Sequence, residues 1–306
     1  MASHYILFSG GYDSTYVVAS ILKSIKTRKE TADVHLVMVE SNFSGAKVAR
    51  EVEARTKLIE HWRNQYKDYG NLEIVEHKLK IDVTEFPWGK IEGLAQPLFW
   101  LPALMSTINY VDTRRKHIYI CNIAEDDEMI RVDSIRNIIY ESARLCYYPD
   151  KINDSIWGED EPFVEKRDKV RTEDFISIHF PLATFMKPKI IEAMLHNYRD
   201  EFKLVTTCEY YDELPEGHKT CGLNCKPCRD VFSACLILRA LFLRDIHAIK
   251  DQKEIDETTA TYNKKLNENV EIIDDLIDDI LKYGKYELPE PEPEECNVES
   301  CVDKEE

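Results

Sequence analysis

His4-Tyr5-Ile6-Leu7-Phe8-Ser9-Gly10-Gly11-Tyr12-Asp13-Ser14 is the stretch that decides the fold. Its first five residues form a short β-type segment, Ser-Gly-Gly follows at once, and Tyr16, Val17, Ala19, Ile21 and Leu22 then recur at helical spacing. The pattern is strand, tight turn, helix. Such a turn gathers several backbone N–H groups around one concavity at the positive end of the helix dipole, which is a phosphate cradle. Gly10 and Gly11 permit positive φ angles and a close approach that side chains would block, and Ser9 and Ser14 offer hydroxyl donors. Asp13 suits a Mg²⁺ ion bridging phosphates, or it caps the helix. Two glycines in a turn are also compatible with a plain strand-to-helix connection.

Working outward, Val34 to Val39 reads as a second strand, followed by a helix over about 46–66 with Val48, Val52, Leu58, Ile59 and Trp62 inward. Leu72 to Leu79 predicts a third strand. A helix near 100–110, a strand His117 to Cys121 and a helix near 134–145 continue the alternation. The segment 147–174 is charged and irregular, a loop over the site or an insertion. Ile176 to Leu182 resembles a last strand, and a helix is expected after Lys187-Pro188. Strands alternating with helices predict an α/β fold with a doubly wound, Rossmann-like parallel sheet. Ligands of such sheets sit beyond the carboxyl ends of the strands, so the loops after Phe8, Val39 and Cys121 are the ones to search. Glu40, just past Val39, is expected to line a nucleotide site there.

Beyond Thr206 the character changes. Cys221-Gly-Leu-Asn-Cys225-Lys-Pro-Cys228 offers three thiolates within a few residues, and Cys208 lies close enough upstream to supply a fourth. Four sulfurs suit tetrahedral Zn²⁺, with Gly222 and Pro227 favouring the turns that fold them toward one ion. A closed shell of four cysteines makes that zinc structural; redox or persulfide chemistry is the alternative. Cys121, Cys146 and Cys235 sit on apolar segments and read as core, while Cys296 and Cys301 have no assigned role. A helix follows over about 229–244. Ile255, Tyr262, Leu266, Val270, Ile273, Ile277 and Ile280 then form an amphipathic stripe that docks on its own domain or on a partner, including a second copy in a homodimer. The organisation predicted is an ATP-binding α/β domain over 1–205, a zinc-bearing segment and helix over 206–245, an amphipathic extension over 246–285 and an acidic, disordered tail over 286–306.

The chain of 306 residues carries a net charge of −17. Residues 287–306 hold nine acids against one lysine, so −8 sits there and −9 on the body. That sign repels phosphate backbones and makes nucleic acid an unnatural partner. No window approaches the roughly 20 apolar residues of a membrane helix, and the N-terminus lacks a basic start followed by an apolar stretch, so a cytoplasmic location is expected.

Ser9-Gly10-Gly11-Tyr12-Asp13-Ser14 resembles the Ser-Gly-Gly-x-Asp-Ser signature of the PP-loop ATPases, an adenine nucleotide alpha hydrolase-like superfamily that splits ATP to AMP and pyrophosphate. With Cys208, Cys221, Cys225 and Cys228 near the other end, the chain resembles the 7-cyano-7-deazaguanine synthases (QueC) over about 5–229. The resemblance implies two rounds of adenylation on 7-carboxy-7-deazaguanine, with ammonia as the amine, giving an amide and then a nitrile. It implies that Ser9, Gly10, Gly11, Asp13 and Ser14 hold the phosphates, with Asp13, Ser14 and Lys187 as catalytic groups. Glu125, Asp127 and Asp133 resemble acidic residues bordering the deazapurine pocket. ATP, Mg²⁺ and Zn²⁺ are the implied cofactors. Three departures stand out: Gln96-Pro97-Leu98-Phe99 replaces a Pro-Gly-Arg-Asn stretch, Arg131-Val132-Asp133-Ser134 replaces Tyr-Pro-Asp-Cys, and Cys221 and Cys225 are one residue further apart than usual. A divergent member stops at the amide or, as in QueC-like proteins of antiphage systems, hands the acyl group to a partner protein. Transfer-RNA thiolation and an inactive ATP-binding scaffold are the remaining alternatives.

Overall fold

Val34, Leu36 and Met38 project to one face of their strand and Val37 to the other, and all four are buried, so the sheet is covered on both sides. A computed structural model describes residues 2–41, 45–82, 97–109, 114–124, 132–147, 176–210, 213–214, 220–250 and 256–283. Five strands, β1 (Ala2–Leu7), β2 (Ala32–Ser41), β3 (Leu72–Ile81), β4 (Lys116–Tyr119) and β5 (Ile176–His179), form one sheet. The order is β3-β2-β1-β4-β5 and every pairing is parallel. The helices among the described residues are α1 (Tyr12–Arg28), α2 (Gly45–Tyr66), α3 (Pro97–Thr107), α4 (Val132–Tyr147), α5 (Lys187–Asn197), α6 (Arg199–Phe202), α7 (Lys226–Lys250) and α8 (Glu257–Tyr283). The fold is α/β with a five-stranded parallel sheet, consistent with a Rossmann-like architecture.

On one face, Ile6, Phe8, Leu36 and Met38 meet Val18 and Leu22 of α1 and Leu58 and Trp62 of α2, and the same apolar cluster runs on through α5, α7 and α8. On the other, Tyr5, Val37, Ile118 and Ile176 meet Leu101 and Leu104 of α3 and Ile135 and Ile139 of α4. The amphipathic stripe of α8 finds its partner inside the chain, because Leu266, Ile273, Ile277 and Ile280 are buried in the first cluster. Two residues depart from the expected stripes. Val52 is 37% exposed and Tyr262 45%, because α2 turns Ala54, Arg55 and Leu58 inward and α8 begins to be covered only at Leu266. The helix expected over 229–244 extends over Lys226–Lys250, and β4 and β5 stop at Tyr119 and His179. Cys235 is fully buried as expected of a core residue, and Cys121 is partly buried. The side chain of Cys146, residues Cys296 and Cys301, the segment 148–175 and the acidic tail fall outside the described residues. Among the described residues no helix is long and apolar enough to cross a membrane.

Between β1 and β4 the chain turns in opposite directions, toward β2 and β3 on one side and β5 on the other. The loops leaving these two strands therefore diverge and open a crevice at the carboxyl edge. The phosphate-type loop occupies one wall of it. The opposite wall is tied together by Ala124 N–H donating to the Phe185 carbonyl (3.0 Å) and Ile120 N–H donating to that of His179 (3.0 Å). These bonds bring the start of α5 alongside the start of α1.

Candidate nucleotide loop and metal centre

The loop is braced from within. Gly10 has a φ of 85°, in the left-handed region where a side chain is disfavoured, and a Cβ there would lie 3.0 Å from Cγ of Arg55. Gly11 caps α1 in extended conformation with no side-chain cap, so the first-turn amides of α1 keep their donors facing outward from the strand end. Asp13 thus stands inside the first turn and not at the cap position. The hydroxyls of Ser9 and Ser14 lie 3.1 Å apart; Ser9 N–H donates to Ser14 Oγ (3.3 Å) and Gly11 N–H to Ser9 Oγ (3.3 Å). Ser14 is buried and Ser9 exposed, and their hydroxyls together fix the shape of the loop.

Lys187, the first residue of α5, is almost fully buried and its Nζ donates to both oxygens of Asp13, at 2.8 and 2.6 Å. Two residues predicted separately from sequence thus meet over the loop. A lysine so placed neutralises Asp13 at the mouth of the loop. Glu40, the penultimate residue of β2, accepts from Nη2 of Arg55 at 3.2 Å. Its carboxylate, expected to line a nucleotide site, is engaged by that guanidinium. Asp133 stands in the first turn of α4, largely exposed, 3.4 Å from Arg136. Glu125 and Asp127 lie outside the described residues, as does Gln96.

Cys208, Cys221, Cys225 and Cys228 come together with their sulfurs all within 4.8 Å of one another. A tetrahedral zinc with Zn–S bonds of about 2.3 Å sets sulfur–sulfur edges of about 3.8 Å. Sγ of Cys221 and Sγ of Cys228 lie 3.8 Å apart, so the donor set fits a zinc-sized ion and could hold one. Gly222, at φ 69°, makes the turn between the sulfurs, and Cys228 sits in the first turn of α7, where the helix dipole favours a thiolate. Hydrogen bonds, from Cys221 above all and then from Cys225 and Cys228, hold the Cys208 thiol far below the usual thiol range, although burial opposes this.

Sequence reasoning did not anticipate how closely this cluster adjoins the loop. Thr206 N–H donates to the Gly10 carbonyl at 3.1 Å, and the Thr206 carbonyl oxygen would lie 3.4 Å from a Cβ on Gly11. Cys208 follows two residues later. The residues after it are pinned to α2, with Arg50 Nη2 donating to the Tyr210 carbonyl and Lys47 to Glu209 at 3.4 Å. On the inner side, Tyr12 packs on Phe202 with ring centroids 5.1 Å apart, and burial pushes its phenol well above the usual range, with Cys235 and Cys228 close enough to add to the effect.

No family model, curated protein or solved structure matches the chain. What can be said of its chemistry rests on the loop, the Asp13–Lys187 pair and the four cysteines.

Proposed function

We propose that the protein is a QueC-like, ATP-dependent carbon–nitrogen ligase that adenylates the carboxylate of 7-carboxy-7-deazaguanine. The observation that carries this reading is the joining of Asp13 and Lys187 across a glycine-bent loop at the crevice between β1 and β4. The first turn of α1, which no side chain caps, with Lys187 beside it, would receive the distal phosphates of ATP. A carboxylate oxygen of the substrate attacks the α-phosphorus, the bond to the pyrophosphate oxygen breaks, and pyrophosphate leaves. Ammonia then attacks the acyl carbon, AMP departs with the C–O bond and a proton is lost, giving the amide. A second ATP adenylates the amide oxygen with release of pyrophosphate, and departure of AMP with the C–O bond and of both protons from nitrogen gives the nitrile.

In this scheme Lys187 moves from Asp13 to the phosphates as charge builds on the leaving group, and the oriented amides stabilise that charge without reorganising. Mg²⁺ held by Asp13 would neutralise the leaving pyrophosphate. A zinc ion held by Cys208, Cys221, Cys225 and Cys228 would be structural, since a closed sulfur shell leaves no position for substrate. Asp133, as an acceptor only, suits an N–H edge of the base.

The test is incubation of the purified protein with Mg²⁺, ATP, ammonia and 7-carboxy-7-deazaguanine. AMP, pyrophosphate and nitrile are expected, while no carboxylate-dependent release of pyrophosphate would sink the reading. A second reading, transfer of the acyl group to a protein amine, draws on the exposed row Leu236, Ile237 and Leu241 along α7, an apolar surface suited to a protein partner. Its signature is a mass increase on that partner in place of free amide.

A further inference from the structure

Arg55 is the least expected residue near the loop. It lies on the inner side of α2, 2% exposed, three residues before Leu58 and seven before Trp62, where the helix otherwise buries apolar groups. Its aliphatic stem closes against Gly10, whose missing side chain leaves the space that Cγ occupies at 3.0 Å from the position of a Cβ. Its guanidinium is held through Nη2 by Glu40 at 3.2 Å, and Glu40 belongs to the end of β2. The remaining Nη1 is buried with no hydrogen-bond partner among the described residues. Burial is also the largest influence on the guanidinium, weakening its hold on the proton, with Glu51 and then Glu40 restoring it.

A buried cation with one unsatisfied donor is a costly way to fill space. A methionine of similar length would fill it without desolvating a charge, so stability alone does not call for arginine here. What arginine adds is orientation, because a planar fork clamped by a carboxylate has one direction where a thioether has several. We infer that Arg55 is a positioning residue for the nucleotide loop, fixing Gly10 at its left-handed φ by locking the wall behind it to the end of β2. The role rests on the proposed use of the loop to bind nucleotide, but the geometry it sets belongs to the free protein.

The experiment compares wild type with Arg55→Met, Arg55→Lys and Glu40→Gln. In the absence of nucleotide, hydrogen exchange of the amides of residues 9–11 should quicken about tenfold in Arg55→Met and Glu40→Gln, while the melting temperature of Arg55→Met stays level or rises. With Mg-ATP and 7-carboxy-7-deazaguanine, pyrophosphate exchange should show KM for ATP raised at little cost in melting temperature, and kcat/KM lowered by up to about a hundredfold. Arg55→Lys, which keeps the charge and loses the fork, should recover only part of the loss. Unchanged loop exchange in folded Arg55→Met, or full recovery by lysine, overturns the inference. If Arg55→Met does not fold, Glu40→Gln decides alone, since it frees the fork and leaves the stem in place. Failure of wild type to bind Mg-ATP counts against the proposed function, whereas the exchange arm, run without nucleotide, judges Arg55 separately.

Discussion

Two clusters of polar chemistry share one strap of chain and are built on opposite terms. Cys208, Cys221 and Cys228 are 4% exposed or less, and the fourth sulfur closes the shell around whatever it holds. The candidate nucleotide loop keeps Ser9 exposed, Asp13 half-buried and the start of α1 without a side-chain cap. A closed donor set organises structure, while a set with open donors at the mouth of a crevice is available for chemistry. Thr206 joins them, bonded to Gly10 two residues before Cys208.

The sharpest way to break this division is at Asp13. Asp13→Ala should lower carboxylate-dependent pyrophosphate exchange by about a thousandfold while leaving the far-UV circular dichroism intact. A variant that turns over normally would move the chemistry elsewhere. The opposite pattern is expected of Cys228→Ser. Its metal content by mass spectrometry should fall, denaturant unfolding should show a loss of about 3 kcal/mol or more, and Mg-ATP affinity by calorimetry should weaken about tenfold through Thr206. Intact ATP affinity in metal-free, folded protein would mean that the two centres are independent. Lys187→Met sharpens the loop's side of the comparison, with about a hundredfold loss in pyrophosphate exchange and no change in metal content. Retained activity would show that the lysine serves only to neutralise Asp13.

The smallest effect tests a histidine stack across β1, β4 and β5, whose side chains belong to neither cluster. His4 and His117 stack with ring centroids 5.0 Å apart, and Nδ1 of His117 lies 3.0 Å from Nε2 of His179. Burial, then the neighbouring His117, lowers the pKa of His4 to about 4, from an ordinary 6.5. Burial, then His179, brings His117 to about 4 as well. Between pH 6.5 and 4 the unfolded chain therefore binds protons that the folded chain refuses. Stability should fall as pH drops through that window and level off below it, and His4→Asn should flatten the fall by roughly 1–3 kcal/mol in urea titrations at successive pH values. A wild-type midpoint that is flat from pH 7 to 4 would contradict it.

The strands, the loop and the four cysteines were legible in the sequence because each is announced locally, by alternation, by Ser9-Gly10-Gly11 and by thiols in close succession. The meeting of Lys187 with Asp13 spans 174 residues and depends on β5 lying beside β4, which no local pattern states. Arg55 left a signal that went unread: a charged residue in step with Leu58, Ile59 and Trp62 on the inner stripe of α2. Val52 has the apolar character of that stripe but not its phase, and it faces solvent. Thr206 left none, since its contribution comes from the peptide group that every residue but proline carries in full.

That last point bears on how the coupling could be found at all. Replacing Thr206 with alanine, serine or valine preserves the N–H given to Gly10, so a conventional scan would pass over the position as neutral. Only proline, which has no amide hydrogen, cuts the link. The most consequential joint between the two clusters is thus one that side-chain substitution cannot see.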